Sequence, residues 1–159
     1  MKKNPVESAL MTSLVPTRMF LTKGVGRSIY QLKSFEDALR QAGVAQQNLV
    51  SVSSILPPKC KIIPREDGVK ALRPGAITFC VMARCDTNEQ GRLIASAVGV
   101  AVSRDRHNWG YLSEVDGHGM SKQGAEDRCA DLGGDVLGTT LGLEGDRSQA
   151  ASETEQAYK

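Results

Sequence analysis

Arg92-Leu93-Ile94-Ala95-Ser96-Ala97-Val98-Gly99-Val100-Ala101-Val102-Ser103 is the stretch on which the fold turns. Alternate residues of a strand point to opposite faces, so Ile94, Val98, Val100 and Val102 share one face and Leu93, Ala95, Ala97, Gly99 and Ala101 share the other. Neither face is polar, so the strand is predicted to be covered on both sides. The small face calls for a close cover. Ile77, Phe79 and Val81 repeat the large-residue pattern within 76–84, and Gly110-Tyr-Leu-Ser-Glu-Val-Asp116 reads as a third strand.

Segments of helical period flank these strands. Ser34 precedes Phe35, Ala38, Leu39 and Ala42, with Asp37 completing an imperfect capping box and Gly43 at the end, so a helix is predicted over 35–42. Downstream, Cys129, Leu132, Val136 and Thr140 follow helical spacing from Ala125 onward, with Ser121 as a candidate cap. Gly133, Gly134 and Gly138 inside that helix cost about 1 kcal/mol each relative to Ala, which predicts tight packing against the sheet. Met19-Phe20-Leu21 reads as a short strand running into Lys23-Gly24-Val25-Gly26, a turn rather than a phosphate cradle, because the third glycine and the Lys-Ser/Thr ending are absent. Asn48 to Ser53 reads as a strand stopped by Pro57-Pro58, Cys60–Ile63 as another short one, and Glu66-Asp67 as loop. Strands succeed one another from 76 to 116 without a helix between them, which excludes a βαβ rhythm. The expected class is therefore α/β in the α+β sense, a layered αββα sandwich of mostly antiparallel strands.

The 159 residues suit one domain, taken as 16–145 between an N-terminal extension, 1–15, and a polar tail, 146–159. Twenty Lys and Arg against 18 Asp and Glu leave +2 with no dense basic run, so no nucleic-acid face is expected. Seven aromatics and 16 glycines favour close packing of small side chains. No apolar run approaches a membrane span, and no continuous apolar core of a secretory signal follows Lys2-Lys3, so a cytoplasmic protein is expected. Cys60, Cys80, Cys85 and Cys129 form no Cys-x-x-Cys pair, and His107 and His118 stand in no zinc-type spacing with them. Reduced thiols and no metal are expected.

With no His, Cys or metal cluster on offer, reactivity must come from elsewhere. Glu114 lies inside an apolar strand segment, where partial burial would let a carboxyl hold a proton near neutral pH; the alternative is an ordinary outward-facing strand residue. Ser53-Ser54 stands at a strand end before the rigid Pro57-Pro58, a place for stored backbone strain and for a hydroxyl to meet a peptide carbonyl. Taken alone, two serines before prolines are also a common strand ending.

Residues 48–58, Asn-Leu-Val-Ser-Val-Ser-Ser-Ile-Leu-Pro-Pro, closely resemble the self-cleavage segment of pyruvoyl-dependent arginine decarboxylases. The resemblance extends through Leu21–Gly26 and Ser34–Leu39 upstream, and through Ile77–Phe79, Arg92–Ala95 and Gly110–Glu114 downstream, over roughly residues 16–145. It implies that Ser54 attacks the carbonyl of Ser53, giving an ester that eliminates to leave chains 1–53 (β) and 54–159 (α) and a pyruvoyl group at the new N-terminus. Only a β-hydroxyl can both accept the acyl group and then become a leaving group, and the resulting carbonyl supplies an electron sink that side chains lack. The resemblance further implies a Schiff base with substrate arginine, release of carbon dioxide and agmatine, Glu114 as proton donor and Asn48 as an aid to self-processing. Glu36, where the family often has Asp, is implied to face the substrate guanidinium.

Asn48 and Ser54 are six residues apart, roughly 20 Å in an unbroken strand. Either the chain bends sharply after Val52, or Asn48 of one protomer serves Ser54 of another, in keeping with the trimers and intersubunit sites the resemblance implies. The resemblance implies relatives that continue past the position of Tyr158-Lys159 or close with an apolar C-terminal strand, whereas the last 14 residues here are polar, so a sheet lacking an edge strand is expected. Two other readings stand beside arginine decarboxylation: the same chemistry on lysine or ornithine, and a catalytically silent assembly subunit whose Ser53-Ser54 bond stays uncut.

Overall fold

The computed structural model describes residues 14–141 and 150–158. Most of the expected extension, 1–15, lies outside them. The described chain is a mixed α+β fold: β1 (Arg18–Met19), α1 (Gln31–Ala42), β2 (Asn48–Ser51), β3 (Ile55–Leu56), β4 (Lys61–Ile62), α2 (Arg65–Ala71), β5 (Ile77–Cys80), β6 (Leu93–Ala101), β7 (Gly110–His118), α3 (Lys122–Leu141) and β8 (Ala150–Tyr158).

The stretch 92–103 becomes β6, at the centre of a four-stranded sheet ordered β3-β7-β6-β8, in which every pairing is antiparallel. Two parallel pairs, β1-β4 and β2-β5, stand apart from it. The small face of β6 receives α3: Ala95 and Ala97 are buried with Val115, Ala125 and Cys129. A Cβ on Gly99 would lie 2.6 Å from Ser113 Oγ and 3.0 Å from the Cys129 carbonyl oxygen, so only a glycine lets helix and strand meet this closely. Gly133 faces the same serine from the helix side, which accounts for one of the costly helical glycines. The large face of β6 is covered at one end only. Val100 is buried with Leu56, Cys60 and Leu112, but Ile94 and Val98 line a cavity of about 660 Å³ that Phe35, Leu39, Leu49 and Val81 also line.

Both expected helices form. α3 is capped as read, Ser121 Oγ accepting the Gly124 N–H at 3.0 Å. α1 ends at Gly43, whose φ of 81° is the left-handed geometry that glycine adopts without a Cβ penalty. It begins at Gln31, four residues before the expected start, and Ser34 donates back to the Gln31 carbonyl rather than capping the helix. Gly24 and Gly26 lie flat on α1, where a Cβ would overlap the Ala38 and Ser34 carbonyl oxygens.

Four expectations are corrected. Glu66 and Asp67 lie in the first turn of α2 rather than in a loop, where acidic residues complement the helix dipole. The polar tail is not unpaired: Ala150–Tyr158 runs along β6 from Leu93 to Ala101 and supplies the edge strand thought missing. Cover on both sides fails at β5, where Ile77 is 69% and Phe79 41% exposed. No positive φ is found at Ser53 or Ser54. Among described non-glycine residues it falls at Lys59, φ 61°, in the turn after Pro58 that Cys60 N–H closes onto the Pro57 carbonyl.

Candidate active site

The chain bends after Val52, and the Ser-Ser pair is the bend. Val52 N–H still donates to the Cys80 carbonyl, as the last rung beside β5; from Ile55 the chain pairs with β7 in the other sheet. Between them, Ile55 N–H donates to the Ser53 carbonyl at 2.9 Å, a three-residue turn centred on Ser54. The Ser54 carbonyl in turn accepts the Leu112 N–H at 2.7 Å. Each serine carbonyl is thus held by one backbone donor, and that of Ser53, which belongs to the Ser53–Ser54 peptide, is polarised by Ile55 N–H. Ser53 is exposed and Ser54 half-buried.

Glu114 lies two residues along β7 from Leu112, on the same face and roughly 7 Å further on, so the fold brings it to the same edge as Ser54. Its side chain is exposed in the single chain rather than partly buried, and its Oε1 accepts the Met82 N–H at 2.9 Å. Cys80, which borders the cavity, has its thiol pushed above its ordinary pKa of 9.0 by burial first and then by the Glu114 charge, against a hydrogen bond from Ser51. All four cysteines are free thiols raised by burial; Cys60 and Cys129 are buried, Cys80 and Cys85 half-buried.

The bend does not bring Asn48 to Ser54. Asn48 is at the far end of β2, four straight residues, about 13 Å, before the turn begins, and its Nδ2 donates to the Gly75 carbonyl at 2.7 Å. Directly paired residues share a face, so Asn48 lies on the side of β2-β5 that carries Val50, Ile77 and Phe79, all exposed. Glu36 is likewise remote: it lies on α1 away from the cavity lining, its Oε2 3.9 Å from Arg40 one turn on. Sequence reasoning missed the Ile55, Leu112 and Met82 amides. Backbone donors carry no side-chain signature, and only the crossing of two sheets aims them.

The chain thus changes sheets at the Ser-Ser turn, with the Glu114 carboxylate on the adjoining strand, and comparison with known proteins places it among the carboxy-lyases. The family model for pyruvoyl-dependent arginine decarboxylase matches residues 18–158. A protein of Methanosarcina mazei named pyruvoyl-dependent arginine decarboxylase 2 is 51% identical over 146 residues, 92% of this chain and 80% of that one. A probable pyruvoyl-dependent arginine decarboxylase of Chloroherpeton thalassium is 52% identical over 147 residues, covering 92% and 81%. A pyruvoyl-dependent arginine decarboxylase of Picrophilus torridus is 50% identical over 134 residues, covering 84% and 74%. The chain belongs to the pyruvoyl-dependent arginine decarboxylase family, enzymes that carry a covalently bound pyruvoyl group. Among the described residues no helix is long and apolar enough to cross a membrane.

Proposed function

We propose that residues 16–145 form the decarboxylase domain, that the chain cuts itself between Ser53 and Ser54, and that it then converts L-arginine to agmatine and carbon dioxide in the cytoplasm. The turn at Ser54 is the observation that carries this reading. The Ser53 carbonyl accepts the Ile55 N–H, so charge that develops on its oxygen when Ser54 Oγ attacks meets a donor already in place. The peptide C–N bond breaks as the ester forms. Loss of the Ser54 α-proton then expels the Ser53 carboxylate, closing the 1–53 chain, and water releases the Ser54 nitrogen as ammonia, leaving the ketone of a pyruvoyl group on the 54–159 chain. That ketone, once formed, supplies the electron sink for carbon dioxide loss.

The chain's own residues do the rest. Glu114 gives a proton to the former α-carbon, from an edge adjoining Ser54. Glu36 offers a carboxylate to the planar guanidinium, whose fork of donors suits it better than a lysine ammonium does. Because Asn48 and Glu36 stand away from Ser54 of their own chain, and Asn48 shares a face with exposed Val50, Ile77 and Phe79, the functional form is a homo-oligomer, a trimer or a multiple of one, with sites shared between protomers. The four free thiols suit a reducing compartment.

Intact-mass measurement of the purified protein tests the reading. Two chains are expected, with the 54–159 chain lighter than its sequence mass by one ammonia, and Ser54→Ala should remain one chain. A wild-type protein that stays whole after long incubation would favour the silent assembly subunit instead.

A further inference from the structure

Glu114 takes its bond from Met82 N–H, and Met82 lies in the connection between β5 and β6, outside any ladder. What holds that connection is a pair of side chains two and four residues further on, Arg84 and Asp86. The Arg84 guanidinium stands 4.1 Å over the Phe35 ring of α1. Asp86 Oδ1 is 3.4 Å from Arg84 Nε, and its Oδ2 accepts from Gln31 Nε2, also on α1, at 2.6 Å. On the other side the Asp86 carbonyl lies 3.2 Å from His118 Nε2, at the end of β7. The connection is therefore fastened to the helix that carries Glu36 and to the strand that carries Glu114.

We infer that Arg84 is a positioning residue for decarboxylation: stacked on Phe35 and paired with Asp86, it fixes the Met82 amide under the Glu114 carboxylate and sets the spacing between Glu114 and α1. The inference rests on the role of Glu114 proposed above. Arg84 and Asp86 are 40% and 50% exposed, so their pairing adds little to stability and its work is geometric. The Ser54 turn is held by Ile55 and Leu112, which take no part in the contacts of Arg84 and Asp86. Self-cleavage is therefore independent of Arg84.

Arg84→Ala should cleave fully and melt near the wild-type temperature, yet lose roughly tenfold in kcat for arginine with KM nearly unchanged. Arg84→Lys, which keeps a cation over the ring and beside Asp86, should recover most of that loss. The decisive comparison is on a Glu114→Gln background, itself expected to lose about 10²- to 10⁴-fold in turnover. There Arg84→Ala should add no further loss. The inference is overturned if Arg84→Ala loses the same factor with and without Glu114, if it changes KM alone, or if it leaves kcat at the wild-type value. Wild-type turnover by Glu114→Gln would instead refute the proton-donor reading on which the inference stands.

Discussion

Glu36 sits 3.9 Å from the Arg40 guanidinium, with 44% of its side chain exposed. An i,i+4 pair this exposed is worth at most a few tenths of a kcal/mol, so Arg40 gives up the carboxylate at little cost when a substrate guanidinium arrives. Glu36→Ala should leave an unpaired cationic head and lose about 2–4 kcal/mol of arginine binding if the pair is well desolvated. The specificity constant for arginine should then fall at least about tenfold while that for lysine, a point charge that gains less from the planar pair, falls less. Self-cleavage should be complete in the same preparation. An unchanged arginine constant would show that another group reads the guanidinium. Ser53-Ser54 and Glu114 were legible as candidates in the sequence at this scale, a pair of β-hydroxyls before Pro57-Pro58 and a carboxyl amid an apolar strand segment. Where their partners lie was not, since those partners are amides of Ile55, Leu112 and Met82.

The joint between β6 and α3 is closely packed, and Gly99 marks it. An alanine methyl there would press on Ser113 Oγ at 2.6 Å, on the Cys129 carbonyl at 3.0 Å and on Cys129 Sγ at 3.2 Å. The backbone carbonyl cannot rotate away, so strand and helix must part. Gly99→Ala should destabilise the fold by about 1–3 kcal/mol, read as a lowered denaturant midpoint at unchanged slope. A variant as stable as wild type would mean that α3 shifts freely on the sheet. β6, β7 and α3 were readable, β6 from apolar residues on both faces and α3 from the helical spacing of Ala125, Cys129, Leu132 and Val136. Of the short strands, β1, β2 and β4 fall close to the segments read for them, and β3 does not. β3 has two residues and exists because the turn at Ser54 hands the chain to β7. α2 did leave a signal, Pro64 before Arg65-Glu66-Asp67 and Lys70 in the last turn, which was read as loop. β8 is polar in sequence and lies at the sheet edge, the one position where a strand needs no apolar face to pair.

At the scale of the molecule, the four residues proposed for the site do not gather within one chain. Glu114 lies on the strand that pairs beside Ser54, while Asn48 and Glu36 stand elsewhere. Co-expression separates the two ways of joining them: a chain carrying Asn48→Ala keeps its serines, and a chain carrying Ser54→Ala keeps its asparagine. Neither should cut itself alone. Together, the Asn48→Ala chain should be cleaved if the asparagine acts across protomers, an outcome that mass spectrometry of differently tagged chains reads directly; no cleavage of the mixture would place Asn48 in its own chain's site. The sequence by itself determined the α+β class and the strand buried against a close-packed helix, because periodicity and small side chains are local facts. Only the tertiary structure decided that the serine pair is a turn between two sheets, that backbone amides hold its carbonyl and the Glu114 carboxylate, and that a polar segment closes the sheet. Hydrogen bonds between segments distant in sequence are set by how sheets cross, and that geometry is written in no single stretch of the chain.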